Sequence, residues 1–147
     1  MDKDDAFCLM ETFLTPNVET EFLKPIFPNH EFFRTDRDTK VIGGKQKKGG
    51  TLIGVPSYLN VSKVEKLSNG FTEATKVYIE DINMTIICGY VPGDTPIKEF
   101  FEFINFVYNI ANQDQSRNLV LAGDFNMAPP IVEWIDDKEE GFFPVIS

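Results

Sequence analysis

Apolar residues in this chain fall mostly in short runs separated by polar, Gly-bearing or Pro-bearing stretches, a pattern of strands more than of long helices. Ala6–Met10 reads as a buried strand with Glu11 and Thr12 at its carboxyl end. Pro16 to Pro28 is mixed and reads as irregular or briefly helical, closed by Pro25 and Pro28. His30 to Asp38 is aromatic-rich at first and then charged, a strand running into a polar loop. Thr51–Val55 is a β-branched strand stopped by Pro56. From Phe71 to Glu80 the residues alternate, with Phe71, Glu73, Thr75, Val77 and Ile79 on one face. A turn at Asp81-Ile82-Asn83 leads back through Met84–Tyr90, which predicts an antiparallel hairpin.

One segment changes period. Thr95 can cap a helix with Pro96 at its first position. Ile97, Phe100, Phe101, Ile104, Val107, Tyr108 and Ala111 then follow at helical spacing, so a helix from about Pro96 to Ala111 is expected to lay a Phe-rich stripe on a sheet. Those aromatics are core material and not a cofactor box. Leu119–Ala122 is an uninterrupted apolar run ending in Gly, which suits a strand buried on both faces. After Pro129-Pro130 come an acidic cluster (Asp136, Asp137, Glu139, Glu140) and the apolar end Phe142–Ile146. Many strands with one clear helix predict an α/β fold with a mixed sheet.

Composition narrows this. In 147 residues, 42% hydrophobic and 13% aromatic content supports one domain with a real core and not two. No apolar run approaches the ~20 residues of a membrane span. Cys8 and Cys88 each sit inside an apolar run without metal-ligand spacing, and read as reduced core thiols of a soluble intracellular protein. Asn60-Val61-Ser62 and Asn83-Met84-Thr85 match the glycosylation triplet, but no signal peptide precedes them. A net charge of −9 counts against nucleic acid as a tightly held partner, since such binders show a basic face. It leaves a nuclease open, because carboxylates gather wherever a hard cation is held. Lys45, Lys47 and Lys48 form the one dense basic patch, between Gly43-Gly44 and Gly49-Gly50, without P-loop spacing; it reads as a flexible hairpin connection.

Three strand ends carry chemistry. Glu11 is either part of a capped turn or a ligand facing a cleft. Arg34 and Arg37 either meet a phosphate or pair with Asp36 and Asp38, and pairing is the simpler expectation. Tyr90 leaves a phenol at a strand terminus. Gly123-Asp124-Phe125-Asn126 is either a plain turn or a strand end that presents a carboxylate and a carboxamide. In extended backbone Asp124 and Asn126 would leave on the same side.

Taken together, Glu11-Thr12-Phe13-Leu14, Tyr90-Val91-Pro92 and Gly123-Asp124-Phe125-Asn126 resemble the endonuclease/exonuclease/phosphatase superfamily, the DNase I-like enzymes. More narrowly, Phe33-Arg34-Thr35-Asp36-Arg37 followed by Gly49-Gly50-Thr51-Leu52-Ile53-Gly54-Val55 resembles the endonuclease domain of non-LTR retrotransposon reverse transcriptase polyproteins. The resemblance covers about Ala6 to Met127. It implies a two-sheet α/β sandwich and a Mg²⁺-dependent phosphodiester hydrolase acting on DNA. It implies Glu11 as the metal-binding glutamate and Tyr90 as the phenol at the scissile phosphate. Asp124 then orients or deprotonates the attacking water, with Asn126 its partner at the phosphate. A functional retrotransposon protein of this kind would be nuclear, and the rest of a longer polyprotein would be its covalent neighbour.

The departures shape the expectation. The family opens with a strand bearing an asparagine and closes with a Ser-Asp-His segment, and neither matches here. The one histidine, His30, lies far upstream in a Pro-flanked loop. The chain therefore reads as a partial domain spanning 1–147, weakly active or inactive, with apolar strand edges left uncovered. The alternatives are a non-catalytic remnant acting as a binding module, or a sugar- or lipid-phosphate hydrolase of the same fold.

Overall fold

The computed structural model describes residues 2–40, 44, 48–113, 116, 118–126, 132–137 and 141–146. Gly43, Lys45, Lys47, Met127 and the Pro129-Pro130 pair lie outside the described residues, and with them all of the basic patch but Lys48 and the segment directly after Asn126.

Two sheets pack face to face. In the first, β1 (Phe7–Met10), β2 (His30–Thr35) and β3 (Thr51–Pro56) run antiparallel in the order β1-β3-β2. In the second, β4 (Val61–Ser68), β5 (Glu73–Ile79), β6 (Met84–Tyr90) and β7 (Asn118–Asp124) stand in that order. The β5–β6 hairpin is antiparallel and turns through Asn83 in left-handed backbone. β6 and β7 are parallel, as the crossover helix α1 (Ile97–Gln113) between them allows. β8 (Val132–Asp137) and β9 (Gly141–Ile146) pair as a separate antiparallel hairpin, and a short 3₁₀ turn occupies Thr20–Leu23. The expected mixed α/β architecture is present, as two sheets and one long helix.

The alternation along β5 divides the two cores. Val77 and Ile79 join Ile53, Val55, Ile86 and Cys88 between the sheets, with Cys8, Met10 and Phe33 packed against them. Ala74 faces the other way and, with Ile87 and Val91, receives Phe103 and Ile110 of the helix. At one end the inter-sheet layer turns polar. Thr75 Oγ1 lies 2.7 Å from Thr35 Oγ1 and 2.8 Å from Thr51 Oγ1, all three buried, so the hydroxyls satisfy one another.

Three expectations need correction, and one strand was not foreseen. The expected helix stripe holds only in part: Phe100, Ile104 and Val107 pack against the sheet as expected, but its buried centre is Phe103 and Ile110, while Ile97, Phe101 and Tyr108 are 73%, 54% and 63% exposed. The side of the helix with the closest sheet approach is set by Gly89, where a Cβ would stand 2.7 Å from the Phe103 ring. Thr95 does not cap through its oxygen as an acceptor; its hydroxyl donates to the Pro92 carbonyl at 2.6 Å. The run Leu119–Ala122 is not buried on both faces: Leu119, Val120 and Leu121 are each more than 40% exposed, because β7 ends its sheet with β6 as its neighbour. Finally, β4 escapes a period-2 reading because it is a charged edge strand whose register shifts between Ser62 and Glu65, where Lys63 takes φ +51°.

Candidate functional site

The polar end of the inter-sheet layer gathers the strand-end residues. Register places Glu73, Tyr90 and Asp124 side by side across β5, β6 and β7. Glu11 comes from the opposite sheet, directly after β1. The Tyr90 hydroxyl donates to Glu11 Oε1, so the two sheets touch through these side chains. Tyr90 is buried, while Glu11 and Asp124 are exposed, which makes this an open rim and not a closed cavity. Burial pushes the Tyr90 phenol up to about 12; the hydrogen bond to Glu11 and the charges of Glu11 and Asp124 add to this, and Arg37 opposes it. At neutral pH Tyr90 is therefore a neutral donor held between two carboxylates.

Beneath the phenol lies a charge network that the sequence reading did not identify. Arg37 does not pair with Asp38. Its Nε and Nη2 reach Glu73 Oε1 and Oε2 at 2.8 and 3.0 Å, and Nη2 also donates to the Phe71 carbonyl at 2.7 Å. Arg34, by contrast, does pair with Asp36, at 3.3 Å. The Arg37 guanidinium carbon stands 5.9 Å from the Tyr90 ring centroid. Burial pushes the Glu73 carboxyl up, and Arg37 together with the Gly50 N–H pulls it back. The available signal was Glu73 itself, a carboxylate among Thr, Val and Ile on the core face of β5. Such a charge needs a buried partner.

Glu73 also fixes the loop that carries Glu11. Its Oε1 accepts from Gly50 N at 2.8 Å, and the carbonyls of Gly50 and Gly49 accept from Thr12 N at 3.4 Å and Phe13 N at 3.0 Å. Glu11 and Phe13 both sit in left-handed backbone, at φ +53° and +55°. That conformation is costly for such residues and is tolerated here under these clamps. Gly49 is required by contact as well as by φ, because a Cβ would fall 2.1 Å from Glu73 Oε1. Gly49 and Gly50 are thus a fitted surface, more than a connection between β2 and β3.

In Gly123-Asp124-Phe125-Asn126 each residue has a separate task. A Cβ on Gly123 would stand 1.9 Å from the Gly89 carbonyl oxygen, so glycine lets β7 approach β6. Asp124 ends the strand at the rim, and its backbone carbonyl accepts from Val91 N at 2.8 Å. Phe125 turns inward against Phe103, with ring centroids 5.8 Å apart. Asn126 does not continue extended backbone: at φ +45° it turns left-handed, and its Nδ2 donates to the Val91 carbonyl at 2.9 Å. Its backbone N–H donates to Asp124 Oδ1 at 3.2 Å. The tetrapeptide is therefore a turn in its backbone and a strand-end pair in its side chains.

His30 stands at the other end of β2, buried, with Nε2 2.7 Å from the Asp5 carbonyl and its ring among Phe7 and Phe27. It is a structural residue. Among the described residues no group of three His, Cys, Asp or Glu side chains forms a metal cluster. The rim nonetheless offers oxygen donors alone, from Glu11 and Asp124. The buried Thr12 hydroxyl beside Glu11 has no hydrogen-bond partner among the described residues. That donor chemistry fits a hard cation that keeps most of its waters, as Mg²⁺ does, and not a soft one.

A family model described as the Endonuclease/Exonuclease/phosphatase family matches residues 2–133. The chain belongs to this family. No curated protein matches it in sequence. Among solved structures, the human Nocturnin catalytic domain with bound sulfate anion aligns at TM-score 0.57 and 15% identity, over 86% of this chain and 52% of that one. TDP2 from D. rerio, complexed with single strand DNA product, aligns at 0.56 and 14%, over 92% and 57%. TDP2 from C. elegans aligns at 0.52 and 16%, over 88% and 42%. These likenesses carry the endonuclease/exonuclease/phosphatase fold. The chain spans about half the length of the structures it matches.

Proposed function

We propose that the chain carries a Mg²⁺-dependent phosphodiester-hydrolysing site of the retrotransposon endonuclease type, acting on DNA through Glu11, Tyr90, Asp124 and Asn126. The observation that supports this most is the Glu11–Tyr90 contact across the two sheets, with Asp124 next to Tyr90 in register. The narrower assignment draws support from the meeting of two separate motifs: Arg37 of Arg34-Thr35-Asp36-Arg37 and the Gly49-Gly50 pair both close on Glu73.

In this reading Glu11 is the metal ligand. A bound Mg²⁺ would neutralise charge developing on a phosphate oxygen. Glu11 would hold the cation, and Tyr90, whose proton burial keeps in place at neutral pH, would donate a hydrogen bond to a phosphate oxygen. Asp124, exposed at the rim, accepts the proton of an attacking water. Asn126 has one amide proton on Val91, which fixes its plane and leaves the second free to donate to phosphate.

The test is thermal. Millimolar Mg²⁺ is expected to raise the melting temperature of the chain, because a ligand that binds only the native state stabilises it by mass action. Glu11→Gln keeps the hydrogen bond to Tyr90 and is expected to abolish the rise. An unmoved midpoint in the unmodified chain, or an equal rise in the variant, would remove Glu11 from the metal role.

A further inference from the structure

The proposed hydrolysis uses neither of the chain's two cysteines, both of which are free. Cys8 lies in β1 of one sheet and Cys88 in β6 of the other, and they meet across the core. Cys88 is fully buried, and Cys8, partly exposed, packs against its cluster. Cys88 Sγ lies 3.5 Å from the carbonyl of Leu9, the residue after Cys8. The neighbouring Cys88 holds the Cys8 thiol below its ordinary range, against the effect of its own burial, while Cys8 and burial push the Cys88 thiol up. Bridges between two packed sheets are an established way of pinning sandwiches. The position matters here: Glu11 is three residues beyond Cys8, and Tyr90 is two beyond Cys88 on the same face of β6.

We propose that Cys8 and Cys88 are an oxidisable dithiol: a hydroperoxide converts them to an inter-sheet disulfide that ties β1 to β6 directly behind the Glu11–Tyr90 contact. The Cys8 thiolate attacks the peroxide; the O–O bond breaks, Cys8 becomes a sulfenic acid and hydroxide leaves. The Cys88 thiol then attacks the Cys8 sulfur. The S–S bond forms, the S–O bond breaks, and the thiol proton departs with the hydroxyl as water. Two thiols are oxidised by two electrons and one peroxide is reduced. Closing the bond brings the sulfurs to ~2.05 Å across the inter-sheet core that both residues already share.

Nothing in this chemistry depends on hydrolysis, and neither does its test. The reduced chain is treated with hydrogen peroxide, quenched, denatured, alkylated and digested without reductant. Both thiols are expected to disappear together, giving one peptide that links Cys8 to Cys88 within a chain and is reversed by dithiothreitol. The melting temperature should rise by roughly 5–15 °C, since the bond closes a long loop of the unfolded chain. Cys8→Ser should keep its Cys88 thiol under the same treatment, because the surviving sulfur is buried. Three results would overturn the assignment: Cys8 advancing to sulfinic acid while Cys88 stays free, a link joining two chains, or both thiols surviving. Where the variant fails to fold, the peptide map of the unmodified chain decides alone.

Discussion

Glu73 is fully buried with a charge, and its two oxygens accept from Arg37 and from the Gly50 amide. A pair of this kind is easy to damage by halves and easier to replace whole. Arg37→Ala and Glu73→Ala each strand an uncompensated charge, so each is expected to cost ~3–5 kcal/mol in urea unfolding. The double change Arg37→Met with Glu73→Leu should cost clearly less than the sum, although the Gly50 N–H loses its acceptor, worth ~1–3 kcal/mol. Additive costs in that cycle would mean that the two side chains do not act as a unit. Glu73 also clamps the Gly49–Gly50 carbonyls that hold Thr12 and Phe13, so this pair links core stability to the placement of Glu11. The sequence showed the ends of this chain of contacts, Glu11 and the Gly-Gly pair, but not its middle. Arg37 had Asp36 and Asp38 as nearer partners in sequence, and only the hairpin of β2 and β3 against β5 brings Glu73 to it.

Among the elements, helix α1 shows how far periodicity carries. Its existence, extent and role as a cover on the sheet were legible in the spacing of apolar residues. Its rotation was not, because aromatic and aliphatic residues occupy too many positions around the cylinder for spacing to choose a face. What chooses is the sheet: Gly89 opens a slot, and Phe103 fills it beside Phe125. Phe103→Ala is accordingly expected to cost ~3–5 kcal/mol, the usual range for a large aromatic removed from a core. Phe101→Ala, at a position 54% exposed, should stay under ~1 kcal/mol. Similar costs for both in chemical unfolding would show that Phe101 packs as closely as Phe103 and would contradict the observed rotation. β7 follows the same logic in reverse. A run of Leu and Val predicts a strand correctly, but not whether both faces are covered, and here it ends the order β4-β5-β6-β7. Gly123-Asp124-Phe125-Asn126 alone reads equally as a plain turn, and becomes a candidate site only in the company of the Glu11 and Tyr90 strand ends. The left-handed turn at Asn126 was not legible, since Asn tolerates both conformations.

At the scale of the whole molecule, the proposed site has a metal ligand, a phenol, a base and a carboxamide, while the chain's single histidine is engaged elsewhere. His30 is buried at the far end of β2 on the Asp5 carbonyl and cannot reach the rim without unfolding that corner. Phosphoryl transfer depends on groups acting together, and removing one preorganised donor typically lowers the rate ~10²–10³-fold. Electrostatics add little help: a net charge of −9 repels a polyanion at long range, so encounter with DNA is not steered. Slow nicking of supercoiled plasmid in Mg²⁺ follows, barely above the rate without protein, and Asp124→Ala should change it little because little is there to lose. His30→Asn should leave the trace activity where it is while lowering stability, which separates a structural histidine from a catalytic one. Robust nicking that Asp124→Ala abolishes would contradict this expectation. It would require a further donor at the rim, supplied by residues of this chain outside the described set or by a second copy, and the concentration dependence of nicking would tell these apart. A rate per chain that rises with protein concentration would assign the missing donor to the second copy.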